Sequence, residues 1–121
     1  MPSKILIVDD SPTQRQFLGG VLAAGGYTVI TADNGRDGLA LARAERPGLI
    51  LMDIVMPGAS GFQTTRELAR DPETAAIPVV MCSTKAQESD RVWALRQGAC
   101  DYLIKPVEPK ALLACVANLI A

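Results

Sequence analysis

The sequence predicts an α/β fold: a doubly wound, five-stranded parallel sheet with five helices distributed over both faces. Three observations lead there. Five short aliphatic runs recur along the 121 residues. Each run is nearly continuous in hydrophobicity, as expected of strands buried on both sides. Each is followed by a stretch of helical period, and right-handed crossovers then place helices on both faces of one sheet.

The elements follow in order. Lys4–Val8 is the first strand, and residues 12–25 form the first helix with Phe17, Leu18, Val21 and Leu22 on one stripe. Ser11-Pro12-Thr13-Gln14 reads as a capping box with proline at the first helical position. Residues 27–31 are the second strand, and Asn34 caps an Ala- and Leu-rich helix over 35–46. Residues 49–52 are the third strand, and the helix over 62–70 carries Phe62, Leu68 and Ala69. Residues 77–82 are the fourth strand. Thr84 with Gln87 offers a second capping box for a helix over 85–97, whose buried stripe is Val92 and Leu95. Residues 102–104 are the fifth strand. Pro109 opens a last helix over 109–120, with Leu112, Leu113, Val116, Leu119 and Ile120 on one side. Gly25-Gly26 and Gly98 suit left-handed helix ends.

Composition removes several function classes. Hydrophobic residues are 49% and charged residues 21%, which is ordinary for a globular chain and unlike a disordered one. Twelve basic and thirteen acidic side chains give a net charge of −1, so no broad basic footprint for nucleic acid exists. The chain has no histidine, which excludes a Ser-His-Asp triad, a Cys-His pair and any histidine-ligated zinc or haem. Cys82, Cys100 and Cys115 form no CxxC pair and read as reduced thiols of a cytoplasmic protein. No apolar run reaches the roughly 18 residues of a membrane span. Two aspartates follow the first apolar run directly, unlike a signal peptide, so membrane insertion and secretion are not expected.

In doubly wound sheets the binding site lies outside the carboxyl ends of the strands. Asp9 and Asp10 follow the first strand there, Asp53 ends the third, Ser83 ends the fourth, and Lys105-Pro106 follow the fifth. Two carboxylates about 4 Å apart repel by about 4 kcal/mol at an effective dielectric of about 20. Three in one pocket therefore need a counter-charge or a proton. Lys105 supplies one positive charge, and a hard divalent cation would supply more. With oxygen ligands and no histidine, Mg²⁺ (or Mn²⁺) is expected rather than Zn²⁺. Asp10 and Asp53 would ligate it with the backbone carbonyl of Val55, and Asp9 would act through water. Asp53, flanked by Met52 and Ile54, is the candidate nucleophile toward a phosphoryl group. Ser83 and Lys105 would bind the other phosphoryl oxygens.

These residues resemble the receiver domains of bacterial two-component response regulators. The resemblance rests on Ile5-Leu6-Ile7-Val8-Asp9-Asp10, on Asp53-Ile54-Val55-Met56-Pro57 with Gly61 eight residues after the aspartate, on Ser83, and on Lys105-Pro106. It covers residues 1–121 and implies strand order 2-1-3-4-5, a cis Lys105–Pro106 peptide and a single domain. It also implies Mg²⁺-dependent phosphoryl transfer to Asp53 from a phosphohistidine of a sensor histidine kinase or phosphotransfer domain. The protein would catalyse its own phosphorylation and dephosphorylation, but as a signalling switch. Ser83 would move toward the phosphoryl group and Tyr102 would then turn inward, altering the surface of the fourth helix, fifth strand and fifth helix. Val55 and Lys85, each two residues after a site residue, would tune the lifetime of the phosphorylated state.

A narrower resemblance is to the PilH-like regulators of type IV pilus twitching motility. It is carried by Asp10-Ser11-Pro12-Thr13, Gly61-Phe62-Gln63, Thr84-Lys85 and Val92-Trp93 with Arg96-Gln97-Gly98-Ala99. It implies a downstream motility protein as partner, and a monomer before phosphorylation. Cys82-Ser83 departs from the Val-Thr usual in that subgroup, and Cys100 is a candidate exposed thiol. Trp93, the one tryptophan, lies about 100° around its helix from Val92 and is a candidate partner anchor, the alternative being packing at the core edge. The other readings are a phosphorylation-independent binding module and a phosphate sink for a second regulator. An electron carrier of flavodoxin type is disfavoured because Asp9-Asp10 would repel a flavin phosphate. A haloacid-dehalogenase-type phosphatase wants a second Asp two residues after the nucleophile, where Val55 stands.

Overall fold

The computed structural model describes residues 3–120; Met1, Pro2 and Ala121, at the ends of the expected 1–121 domain, lie outside the described residues. Ten elements alternate: β1 (Lys4–Val8), α1 (Pro12–Ala24), β2 (Thr28–Ala32), α2 (Gly35–Glu45), β3 (Leu49–Asp53), α3 (Gly61–Arg70), β4 (Val79–Ser83), α4 (Glu88–Arg96), β5 (Asp101–Ile104) and α5 (Pro109–Leu119). The strands form one parallel sheet in the order β2-β1-β3-β4-β5, as expected.

The continuous hydrophobicity of the strands has a direct cause. Side chains alternate between the two faces of a strand, and both faces are covered here. Leu6, Val8, Ile50, Met52 and Met81 point to one side, where Leu68 of α3 and Ala94 of α4 meet them. Ile5, Ile7, Leu49, Leu51 and Val80 point to the other, against Leu18 and Leu22 of α1 and Leu112 and Val116 of α5. Burying one such side chain stabilises the fold by roughly 1.5–3 kcal/mol, so the two half-cores hold the three inner strands in place.

Local signals mark most of the boundaries. Asn34 accepts the Asp37 amide at 2.8 Å, Ser60 the Gln63 amide at 3.3 Å, and Glu108 the Lys110 and Ala111 amides at 3.2 and 2.9 Å. Ser11 caps α1 through the Gln14 amide at 3.3 Å, but the reciprocal half of the capping box is missing. The Ser11 amide donates to Asp9 Oδ1 at 2.9 Å instead, and Gln14 Oε1 is buried without a partner. The second expected box does not form. Gln87 is the N-cap of α4 with no side-chain hydrogen bond, and Glu88 and Asp90 complement the helix dipole there. Gly26 and Gly98 take positive φ, whereas Gly25 stays right-handed and α2 ends on Arg46 at φ 46°.

The larger correction concerns α4. Val92 and Leu95 are not its buried stripe: they are 39% and 42% exposed, and the buried residue is Ala94. The helix packs beside β5, the edge strand. A helix over a sheet edge has less surface to cover it, so only the small side chain beneath it is sealed. Phe17 on α1 is likewise exposed. No helix among the described residues is long and apolar enough to cross a membrane.

The thiols differ sharply. Cys100 is exposed, while Cys82 and Cys115 are buried. Burial pushes the Cys82 thiol up to about 12, and burial together with the Asp101 carboxylate pushes Cys115 up to about 11. Thiolate is the reactive form. Alkylation of the native protein in mild base should therefore modify Cys100 on the order of a hundredfold faster than the other two. Peptide mapping before and after unfolding checks it; comparable labelling of Cys82 in the native state would contradict the buried assignment.

Candidate functional site

The sheet register brings the chemistry to one level. Val8 pairs with Met52, Asp53 with Cys82, and Ser83 with Ile104. The ladder runs on past two strand ends, with the Asp9 amide on Ala32 O at 3.1 Å and the Lys105 amide on Ser83 O at 2.8 Å. Asp9, Asp53, Ser83 and Lys105 thus leave four neighbouring strands side by side.

One carboxylate oxygen from each of Asp9, Asp10 and Asp53 lies within 4.8 Å of the others. Asp9 and Asp53 are buried, at 2% and 8% exposure, and Asp10 is exposed. Lys105 Nζ bridges the buried pair, 2.8 Å from Asp9 Oδ2 and 3.1 Å from Asp53 Oδ1. Burial, and then the Asp9 charge, raise the Asp53 carboxyl above the ordinary range, and the ammonium beside it offsets this only in part. Burial alone would lower the Lys105 ammonium, but the hydrogen bond to Asp9 and the Asp53 charge together hold it above its ordinary value. The lysine is therefore firmly charged, and the site still carries excess negative charge. An all-oxygen donor set with that excess fits a hard divalent cation.

The Asp53 loop is pinned from both sides. Ile54 and Met56 are buried, which leaves Val55 pointing outward at 65% exposure. The Gly61 amide donates to Ile54 O at 2.8 Å, and a Cβ on Gly61 would overlap the Asp53 carbonyl. Glycine at the start of α3 is thus a steric requirement of Asp53's position. The Lys105–Pro106 peptide is cis, as the resemblance implies.

Ser83 is 2% exposed and its Oγ accepts the Lys85 amide at 3.1 Å. The Tyr102 hydroxyl donates to the Lys85 carbonyl at 2.8 Å, with its ring 6% exposed. Tyr102 thus lies inward, against the backbone of Lys85. Burial pushes the Tyr102 hydroxyl's pKa up, and the Ser83 side chain opposes the shift. The Lys85 side chain is exposed. Trp93 is 45% exposed, and Val92 and Leu95 of the same helix and Ile104 of β5 are exposed as well. Trp93 does not pack into the core.

Sequence reading missed Arg15, whose Nη1 donates to Asp9 O at 2.8 Å and ties α1 to the β1 end. A signal was present: a cation in the first helical turn opposes the dipole and needs a partner.

A family model described as the response regulator receiver domain matches residues 5–117. The chain belongs to this family. It is 55% identical over 119 residues to Protein PilH of Pseudomonas aeruginosa, covering 98% of both chains. Among solved structures it resembles chemotaxis protein CheY4 of Vibrio cholerae, with a TM-score of 0.92 and 31% identity over 98% of this chain and 99% of that one. The receiver domain of sensor histidine kinase PA1611 from Pseudomonas aeruginosa has a TM-score of 0.92 and 28% identity, with 99% of this chain and 98% of that one covered; that structure has a magnesium ion coordinated in its active site cleft.

The raised Asp53 carboxyl carries a stability consequence. In metal-free protein its ionised form costs stability. The cost vanishes below the ordinary carboxylate range, where folded and unfolded states are both protonated, and is complete above the raised folded value. Asp53→Asn should therefore stabilise the metal-free fold at neutral pH, a gain that shrinks as pH falls through that range. Urea midpoints across pH check it; a gain independent of pH would contradict the assigned cause.

Proposed function

We propose that this response-regulator receiver accepts a phosphoryl group on Asp53 from the phosphohistidine of a sensor histidine kinase or phosphotransfer domain. The observation that carries the reading is the Lys105 bridge from Asp9 to Asp53 inside a three-carboxylate cluster. Asp53 is the acceptor because it is held rigidly, and Gly61 clears the space behind its backbone. Its oxygen forms a bond to phosphorus as the P–N bond of phosphohistidine breaks and the imidazole leaves.

Asp10, Asp53 and the Val55 carbonyl would hold Mg²⁺ (or Mn²⁺), which offsets charge on the carboxylates and phosphoryl oxygens. Asp9 is suited to act through water, because its oxygens already accept from the Ser11 amide and Lys105. Lys105 can follow the charge from Asp53 onto a phosphoryl oxygen. Ser83 can exchange the Lys85 amide for another phosphoryl oxygen, donating its own proton.

The Lys85 peptide supports the coupling. Its N–H is held by Ser83 and its C=O by Tyr102, so a move by Ser83 is felt two hydrogen bonds away. That move changes the apolar surface around Trp93, the reading's contact for a downstream protein. The 55% identity to PilH over 98% of both chains supports an output in type IV pilus twitching motility. Val55 leaves the path of attacking water without a polar group, and Lys85 offers a point charge near it.

Intact-mass spectrometry after acetyl phosphate treatment tests the proposal. A Mg²⁺-dependent gain of one phosphoryl mass, lost in Asp53→Ala, is expected. No gain, together with no change in Trp93 fluorescence on adding beryllofluoride, would turn the reading to a phosphorylation-independent binding module. In the same assay Val55→Asn should shorten the phosphorylated lifetime severalfold and Lys85→Ala should alter it. Wild-type rates in both would remove them from the site.

A further inference from the structure

We propose that the cleft between the C-terminal turns of α3 and α4 binds a compact polyanion, a small molecule bearing two or more phosphate or carboxylate groups. The cleft has a volume of about 420 Å³ and is lined by Arg66, Ala69, Arg70, Arg96, Gln97 and Gly98. Three guanidinium groups from two helices therefore share one concavity, of a size typical for small-molecule sites.

Three other arginines of the chain are paired. Arg43, Arg46 and Arg91 each find a carboxylate: Asp71 at 2.6 Å, Glu73 at 3.8 Å and Asp101 at 3.9 Å. Among the described residues, Arg66, Arg70 and Arg96 form no ion pair. Arg66 is nonetheless oriented, because its Nε donates to Oε1 of the buried Gln97 at 2.7 Å. That bond uses one of five guanidinium donors and leaves a fork for a ligand.

Arg70 and Arg96 sit in the last turns of their helices, where cations complement the dipole. Each helix end offers only about half a negative charge. Two such ends offset about one of the three positive charges, and Glu67 and Asp71, which line a neighbouring cleft together with Arg70, offset part of the rest, so the excess lies mainly on Arg66 and Arg96. A ligand with two or more oxyanions matches that excess and relieves the repulsion among the arginines.

The floor of the cleft is rigid. Gly98 has φ +113°, and a Cβ there would come within 2.9 Å of the Ala69 Cβ, so the two helix ends nearly touch. The helices run opposite to the strands of the parallel sheet. Their C-terminal ends consequently lie at the sheet edge away from Asp53, and the cleft is separate from the phosphoacceptor site.

Calorimetric and NMR titration of the full chain with inorganic pyrophosphate and with citrate, at low ionic strength and without divalent cations, tests the proposal. Saturable one-to-one binding of either probe is expected, with the pair of probes separating phosphate from carboxylate preference. Arg70→Gln and Arg96→Gln should each weaken it about tenfold, the effect of losing one charge-assisted hydrogen bond. The double variant should lose binding while still taking up phosphate from acetyl phosphate, which controls for folding. Arg36→Gln, on the exposed face of α2, and Asp53→Asn should bind as wild type. No saturable binding of either probe, equal binding by the double variant, or binding only of an acidic peptide would overturn the proposal.

Discussion

Lys105 holds two buried carboxylates together that would otherwise drive each other apart. Asp9 and Asp53 have almost no contact with solvent, and Nζ lies within 3.1 Å of both. Among the described residues no other cation forms an ion pair with these two carboxylates; Arg15 reaches only the Asp9 backbone carbonyl. The arrangement is deliberately unbalanced: one ammonium faces two buried acids with Asp10 close by. That residual negative charge is what gives a cation, and then a phosphoryl group, something to bind. A neutral pocket would be more stable and chemically idle.

The sheet exists in the form that serves this pocket. Residues on both faces of each inner strand are sealed, so the strands cannot slip without exposing a half-core. The register then sets the heights of Asp9, Asp53, Ser83 and Lys105, although these residues are up to 96 positions apart in sequence. Gly61 and the buried Ile54 and Met56 fix the one loop whose movement would displace the acceptor. Rigidity at the strand ends is coupled to adaptability one layer out, where the Lys85 peptide spans Ser83 and Tyr102.

Much of this was legible in the residues. The fold class and the five site positions could be read because both follow from short-range signals: buried runs, helix caps and what stands at each strand end. The errors share a cause, which is that a neighbour outside the expected pattern decided the outcome. Val92 and Leu95 carry a helical stripe, but α4 lies over the sheet's edge strand and Ala94 takes the buried place. Ser11 and Gln14 have the residues of a capping box, but Asp9 takes the Ser11 amide. The Tyr102 hydroxyl of β5 reaches the Lys85 carbonyl of the loop after β4, a contact that no periodicity reports. The arginine cleft was invisible for the same reason, since Arg66 and Arg96 meet only through the packing of α3 and α4.

A double-mutant cycle on stability tests the central interaction most directly. Urea unfolding of metal-free protein would compare Lys105→Met in the wild-type background with Lys105→Met in Asp53→Asn. If Lys105 offsets the Asp53 charge, its loss should cost about 3 kcal/mol in the wild type and at least about 1 kcal/mol less when Asp53 carries no charge. An equal cost in both backgrounds would mean that Lys105 packs beside Asp53 without balancing it, and the account of the site would fail.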